Sequence, residues 1–222
     1  MPDFASEAER SSARKFALRD RIVTARRLLT EPVRRSADSL IQSHLHSFLS
    51  AQALGSAQAL GQSGDHPFTV AAYVPVGWEP GGPGLPEALS AALPPGGRLL
   101  LPVLLDDGDL DWALYEGPLS LRAGPRGLRE PAGPRLGVDA IREAALVIVP
   151  ALAVDRSGMR LGRGGGSYDR ALARAGTAFT VALLHDGELV ESVPAEEHDQ
   201  PVRATVTPGG GVTLNASSDW TK

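Results

Sequence analysis

The chain has 222 residues, a formal net charge of −4 at neutral pH and no cysteine. That length supports one good-sized core, the missing cysteines exclude disulfides, thiolate metal sites and cysteine nucleophiles, and the acidic balance gives no whole-molecule attraction to nucleic acid or anionic lipid. The charged start, Met1 to Phe16, has no signal-peptide core and no apolar run reaches membrane-spanning length, so the expectation is a monomeric cytoplasmic domain over 1–222, binding neither nucleic acid nor membrane, with mobile ends at 1–12 and 215–222.

Ser6 to Leu29 reads as a helix, with Leu18, Ile22, Ala25 and Leu29 as its apolar stripe. Lys15, Arg19 and Arg26 fall within about 40° of one another on the adjoining face. A basic face is ordinarily solvated; the functional alternative is a cationic edge that reaches a bound anion. Almost every cation in this chain is arginine, and its only lysines are Lys15 and Lys222. Lys15 therefore invites a role for a compact ammonium, with chance as the competitor.

Thr30-Glu31-Pro32 caps and starts a second helix. Its core face is Val33, Ala37, Leu40, Ile41, Leu45 and Phe48. His44 and His46 do not share a face, which argues against a metal pair. Gly55 to Pro67 reads as a loop or frayed helix end. Phe68 to Val74 is a buried strand, running into Pro75-Val76-Gly77-Trp78-Glu79. Ligands of open α/β sheets gather outside the carboxyl ends of strands, which places Trp78 and Glu79 where a site would be.

A short helix over Leu85 to Leu93 and a buried strand over Arg98 to Leu105 follow. Asp106-Asp107-Gly108-Asp109 lacks the rest of a calcium loop and reads as a hairpin turn into Leu110 to Tyr115. Gly117 to Gly137 is a Gly/Pro/Arg-rich surface excursion, and Val138 to Glu143 a helical turn. Ala145 to Val154 reads as one buried strand.

The segment Arg160-Leu161-Gly162-Arg163-Gly164-Gly165-Gly166-Ser167-Tyr168-Asp169-Arg170 comes next, then a short helix over Ala171 to Ala175 closed by Gly176. Strand, glycine loop and helix together present free backbone N–H groups to an anion. Arg160 and Arg163 add fork-shaped cations suited to phosphate. Asp169 adds a hard oxygen where magnesium would sit beside phosphates. The segment fits neither G-x-x-x-x-G-K-[ST] nor G-x-G-x-x-G, and a plain turn is the alternative. Phe179 to Leu184 and Ala204 to Thr207 are further strands. The fold class is α/β: three α/β/α layers around a mostly parallel sheet, Rossmann-like.

The ordered motifs resemble the 5-formyltetrahydrofolate cyclo-ligase family from about Arg14 to Pro208. The family's R-L-G-x-G-x-G-[YF]-Y-D-R stands here as Arg160 to Arg170, and its K-x-x-L-R as Lys15 to Arg19. Tyr73 to Glu79, Leu101-Pro102-Val103 and Glu130-Pro131 follow the same pattern. So do His185-Asp186, Val193-Pro194, Glu196, Asp199 and Val206-Thr207-Pro208. Two places depart: Ser167 stands where an aromatic is usual, and Pro80-Gly81 follows the glutamate.

The resemblance implies an isomerase/CoA-transferase-like sheet topology and ATP-dependent closure of 5-formyltetrahydrofolate to 5,10-methenyltetrahydrofolate. Lys15, Arg160 and Arg163 would be catalytic. ATP would lie on Lys15, Arg19 and the run Arg160, Leu161, Gly162, Arg163, Gly164, Gly165, Gly166, Ser167 and Tyr168. Folate would meet Val74, Trp78, Glu79, Arg163, Gly164, Gly165, Gly166 and Ser167. Asp169 and Asp199 would hold Mg2+. The rivals are a sugar-phosphate isomerase or acyl-CoA-transferase relative, and a non-catalytic folate or nucleotide binder.

Overall fold

The computed structural model describes residues 7–59, 67–196 and 199–216. Helices α1 (Glu7–Leu28) and α2 (Glu31–Ala59) open the chain. Then come β1 (Thr69–Ala71), α3 (Leu85–Ala92), β2 (Arg98–Leu104) and β3 (Leu110–Leu114). The Gly117 to Gly137 excursion holds a small hairpin of β4 (Leu121–Ala123) and β5 (Arg129–Pro131). A 3-10 helix, Val138–Glu143, leads into β6 (Leu146–Pro150), β7 (Ala153–Asp155) and β8 (Arg160–Leu161). The glycine loop precedes α4 (Ser167–Arg174), followed by β9 (Phe179–Leu183), β10 (Leu189–Val190), β11 (Ala204–Thr207) and β12 (Gly211–Leu214).

The main sheet has seven strands in the order β12-β11-β9-β6-β1-β2-β3. The five inner strands are parallel, and the two edges are antiparallel. Inner strands are mostly apolar because both sheet faces are covered. Alternate residues feed two cores. Leu99, Leu101, Ile148 and Val181 pack with Ile41, Leu45 and Leu49 of α2 and with Leu85 and Leu89 of α3. Leu100, Val147, Val149 and Ala182 pack on the other face with Ile141, Ala171 and Leu172. This is the expected α/β/α sandwich around a mostly parallel sheet.

Several details differ from the sequence reading. The run Ala145 to Val154 is two strands in two sheets. β6 stays in the main sheet, whereas β7 pairs with β8 and β10 in a separate three-stranded sheet. Both halves are buried, so no change of periodicity marks the exit. α2 continues through residues 55–59, at the start of the stretch read as loop or frayed helix end, and residues 60–66 lie outside the described residues. Ala25, Val33 and Leu40 are exposed, although their spacing assigned them to core faces. Of the ends expected to be mobile, residues 7–12 belong to α1. Buried Asn215 donates from Nδ2 to the Val202 carbonyl at 3.0 Å. Residues 1–6 and 217–222 lie outside the described residues.

Candidate active site

From β1 the chain order moves one way to β2, while β6, β9 and β11 lie on the other side. The order reverses between β1 and β6, and the crevice at such a switch point is where open α/β sheets bind ligands. A cleft of about 510 Å³ opens there. Tyr73, Val74, Val76 and Glu79 enter it from beyond β1, and Pro150, Ala151 and Leu152 from the end of β6. Every residue from Arg160 to Asp169 lines it as well.

The glycine loop is held open by backbone geometry. Gly164 and Gly166 have φ values of 100° and 67°, which side chains with a Cβ rarely adopt. Gly166 is the N-cap of α4 and supplies no side-chain cap. The first-turn N–H groups of α4 therefore keep capacity for an anion. The reading of strand, loop and helix needs one correction: the strand before the loop is β8 of the small sheet, not a strand of the main sheet.

Three anchors fix the loop. Ser167 Oγ donates to the Gly108 carbonyl at 2.5 Å, and Arg170 Nη2 to the same oxygen at 2.6 Å. Arg174 grips Asp109 through both terminal nitrogens, at 2.9 and 2.6 Å. The Arg174 guanidinium holds the Asp109 carboxyl below its usual range against the opposing effect of burial. The hydroxyl at Ser167 thus ties α4 to the β2–β3 turn, a use that its departure from the aromatic pattern did not suggest.

All three cations of the α1 face turn inward. Lys15 Nζ donates to Glu196 Oε1 at 2.9 Å and to Asp199 Oδ2 at 2.8 Å. Burial alone would pull its ammonium pKa down, but the two carboxylates outweigh this and hold it above the ordinary value. Arg19 Nε donates to the Gly162 carbonyl at 2.9 Å. Arg26 is buried; its Nε and Nη2 reach the two Glu188 oxygens at 2.7 Å each, and Nη2 also reaches the Ala151 carbonyl at 2.6 Å.

The loop arginines have different surroundings. Arg160 is buried against Asp169, 2.5 Å from Nη2 to Oδ1, and its Nε has no hydrogen-bond partner. Such a buried spare donor is costly unless a ligand takes it. Arg163 is exposed and lies 3.1 Å from Glu79 Oε1. The other oxygen of Glu79 accepts the Val76 N–H at 2.9 Å. Burial, with Glu79 adding repulsion, pushes the Tyr168 and Tyr73 phenols well above their ordinary values, so both are neutral hydrogen-bonding groups.

The cleft gathers every residue assigned to the site from the sequence except Trp78. Trp78 is 40% exposed, with the Arg27 guanidinium 5.8 Å from its ring centre, and it does not line the cleft. Its backbone carbonyl accepts from His185 Nε2 at 3.1 Å. Sequence reasoning missed Arg126, Leu128, Arg129 and Glu130, which form a wall from the β4–β5 hairpin, and it gave Glu196 no role in the site. Glu130-Pro131 belonged to the family pattern, which was the one available signal for that wall. Among the described residues no cluster of three or more His, Cys, Asp or Glu side chains forms a ready-made metal cage. None of the described helices is long and apolar enough to cross a membrane.

A parallel α/β sheet with a glycine loop and inward cations over its switch point is an arrangement suited to phosphate-bearing ligands. A model of the 5-formyltetrahydrofolate cyclo-ligase family matches residues 11–208, and the chain belongs to that family. The 5-formyltetrahydrofolate cyclo-ligase of Mycolicibacterium smegmatis is 48% identical over 150 residues, which is 65% of this chain and 75% of the relative. That of Escherichia coli K12 is 38% identical over 117 residues, 51% of this chain and 64% of the relative. The solved Aquifex aeolicus 5,10-methenyltetrahydrofolate synthetase superposes with a TM-score of 0.62 at 27% identity, covering 90% of this chain and 92% of that one. A synthetase of the same name from Mycoplasma pneumoniae, 18% identical with a TM-score of 0.63 over 86% of this chain and 96% of that one, shares the fold.

Proposed function

We propose that this protein closes 5-formyltetrahydrofolate to 5,10-methenyltetrahydrofolate at the expense of ATP, in the cytoplasm. The observation that carries the reading is the convergence of the glycine loop, Lys15, Arg160 and Glu79 on one cleft in a chain of this family. The formyl oxygen attacks the γ-phosphorus, and the bond to ADP breaks. An amide-like oxygen is a poor leaving group, and phosphorylation makes it a good one. N10 then bonds to the formyl carbon, phosphate departs with that oxygen, and N10 gives up its proton.

Phosphoryl transfer asks the protein mainly for positioning and charge stabilisation. The free N–H groups at the start of α4, the spare Arg160 Nε and the exposed Arg163 head supply the charge complement. Lys15 and Arg19 border the loop from α1 and complete it. Glu79 takes the pterin: its carboxylate matches a cyclic amide N–H beside an exocyclic amino group, an edge of two donors. Arg163 lies 3.1 Å from Glu79 Oε1 and, being exposed, can swing to phosphate when the pterin takes that oxygen.

Asp169 and Asp199 both line the cleft with hard oxygens, each now balanced by a cation. Such a donor set suits Mg2+, which takes one or two carboxylates and completes its shell with phosphate oxygens and water. When bound, the ion neutralises charge on the transferred group. Replacing either aspartate by alanine should raise the magnesium concentration needed for half-maximal rate, more for Asp169. Unchanged titration curves in both variants would make the two residues structural. The reaction itself is tested by mixing protein, ATP, magnesium and 5-formyltetrahydrofolate and following the absorbance of the methenyl product. No ATP-dependent signal would overturn the proposal.

A further inference from the structure

Glu79 sits between β1 and α3, on a stretch with no helix or strand of its own. Its carbonyls are nevertheless pinned one after another. That of Trp78 accepts from His185 Nε2 at 3.1 Å, that of Pro80 from the Tyr73 hydroxyl at 2.7 Å, and that of Gly81 from Gln42 Nε2 at 2.8 Å. The donors come from just past β9, from just past β1 and from α2. Gly82 completes the frame: a Cβ there would lie 2.5 Å from Asp38 Oδ2 of α2, so glycine lets the stretch close this tightly. The Pro80-Gly81 pair that departs from the family pattern lies inside this frame.

His185 stands out among the donors. It is buried, it does not line the cleft, and its Nδ1 has no hydrogen-bond partner among the described residues. A carbonyl oxygen only accepts, so Nε2 carries the proton, and the ring spends its one hydrogen bond on Trp78. Burying an imidazole with one nitrogen idle is less favourable than burying an apolar side chain, so packing alone does not account for it. Its backbone is locked as well, because the His185 N–H donates to Glu188 Oε2 at 2.8 Å and Arg26 grips Glu188.

We propose that His185 and Tyr73 are positioning residues for Glu79. By pinning the carbonyls on either side of it, they aim its carboxylate at the pterin edge. Their role rests on the folate reading of Glu79 given above and extends it to how the carboxylate is held. A carboxylate that must accept two parallel donors at once tolerates little error in angle, so its supporting backbone has to be fixed beforehand. The imidazole and the phenol hydroxyl are both committed to backbone, so they act through Glu79 and not on the substrate.

The test is a double-mutant cycle on folate affinity. Calorimetry with 5-formyltetrahydrofolate, with no ATP present, reads that affinity without turnover. Tyr73→Phe and His185→Leu each remove a donor while filling the space, and each should weaken folate binding about fivefold, the worth of one neutral hydrogen bond. His185→Gln keeps an N–H near the Nε2 position and should bind folate like the parent protein. Affinity for a non-hydrolysable ATP analogue should not change in any of the three. In a Glu79→Gln background the Phe and Leu changes should each weaken folate binding by less than about twofold, because residues that act through one group are not additive. If His185→Leu does not fold, Tyr73→Phe, which deletes a single hydroxyl, carries the cycle alone. Equal losses in the two backgrounds overturn the proposal, as does equal loss in His185→Gln and His185→Leu, which would make the ring a packing element. A parallel loss of affinity for the ATP analogue overturns it too, since that marks general loosening. Weaker folate binding in Glu79→Gln with none in the other variants removes the positioning role and leaves Glu79 in the site. No loss in Glu79→Gln itself removes the folate reading of Glu79, and the positioning role falls with it.

Discussion

Two buried ion systems flank the same crevice, and they are built differently. Glu188 takes both Arg26 nitrogens and the His185 N–H, while Arg26 spends its remaining capacity on the Ala151 carbonyl. That network is closed, with both partners almost wholly out of water. The pairs around the glycine loop are left open. Arg160 keeps an unused Nε, Asp169 keeps some exposure, and Arg163 reaches Glu79 from solvent. A closed network can only hold structure, since any ligand must first break it. An open one can hand its charge to a ligand at small cost.

The largest expected effect tests the closed side. Glu188→Ala strands the Arg26 charge in the interior and should cost about 3–5 kcal/mol of stability. Denaturant unfolding of the variant beside the parent protein gives the number. A loss under about 1 kcal/mol would show that water reaches Arg26, and the contrast between the two networks would collapse.

Glu79→Gln tests the open side. Its amide oxygen can still accept the Val76 N–H, so stability should hold. The amide donor now faces a pterin donor, however, and kcat/KM for folate should fall by roughly 2–4 kcal/mol, about 30- to 1000-fold. KM for ATP should stay put. Equal folate affinity in the two proteins would remove Glu79 from the site.

Lys15→Ala should raise KM for ATP about tenfold, equivalent to one charge-assisted contact. It also leaves Glu196 and Asp199 facing each other without their shared cation. If KM for folate rises instead, the ammonium belongs to the other substrate.

The smallest effect concerns the anchor of α4. Asp109 has its pKa depressed by Arg174, so the bridge contributes stability that is fully present above the ordinary aspartate value of about 3.9. That stability is lost as pH falls through the lower folded value. Asp109→Asn should therefore be less stable than the parent near neutrality, and the two curves should converge below about pH 4. A constant gap down to strong acid would mean that Asp109 acts by packing alone.

The sequence alone determined the sheet and most of the residues that line the cleft. Apolar runs such as Phe68 to Val74 and Phe179 to Leu184, alternating with helices, required a parallel sheet covered on both faces, because no other arrangement buries them. The glycines, the loop arginines and the helical spacing of Lys15 and Arg19 singled out residues that the fold does bring to one cleft, since local chemistry and helical period suffice for that. What the chain does between Pro150 and Arg160 was decided by tertiary structure. An apolar residue is equally buried in either sheet, so nothing local records that the strand leaves one and joins another. Pairing was decided there too: Lys15 and Asp199 are 184 residues apart, and only the fold brings their charges to 2.8 Å. Apart from Glu130-Pro131, the hairpin wall with Arg126 and Arg129 left no signal, for the same reason. Its residues read as surface loop until Glu130 clips them over the end of β2.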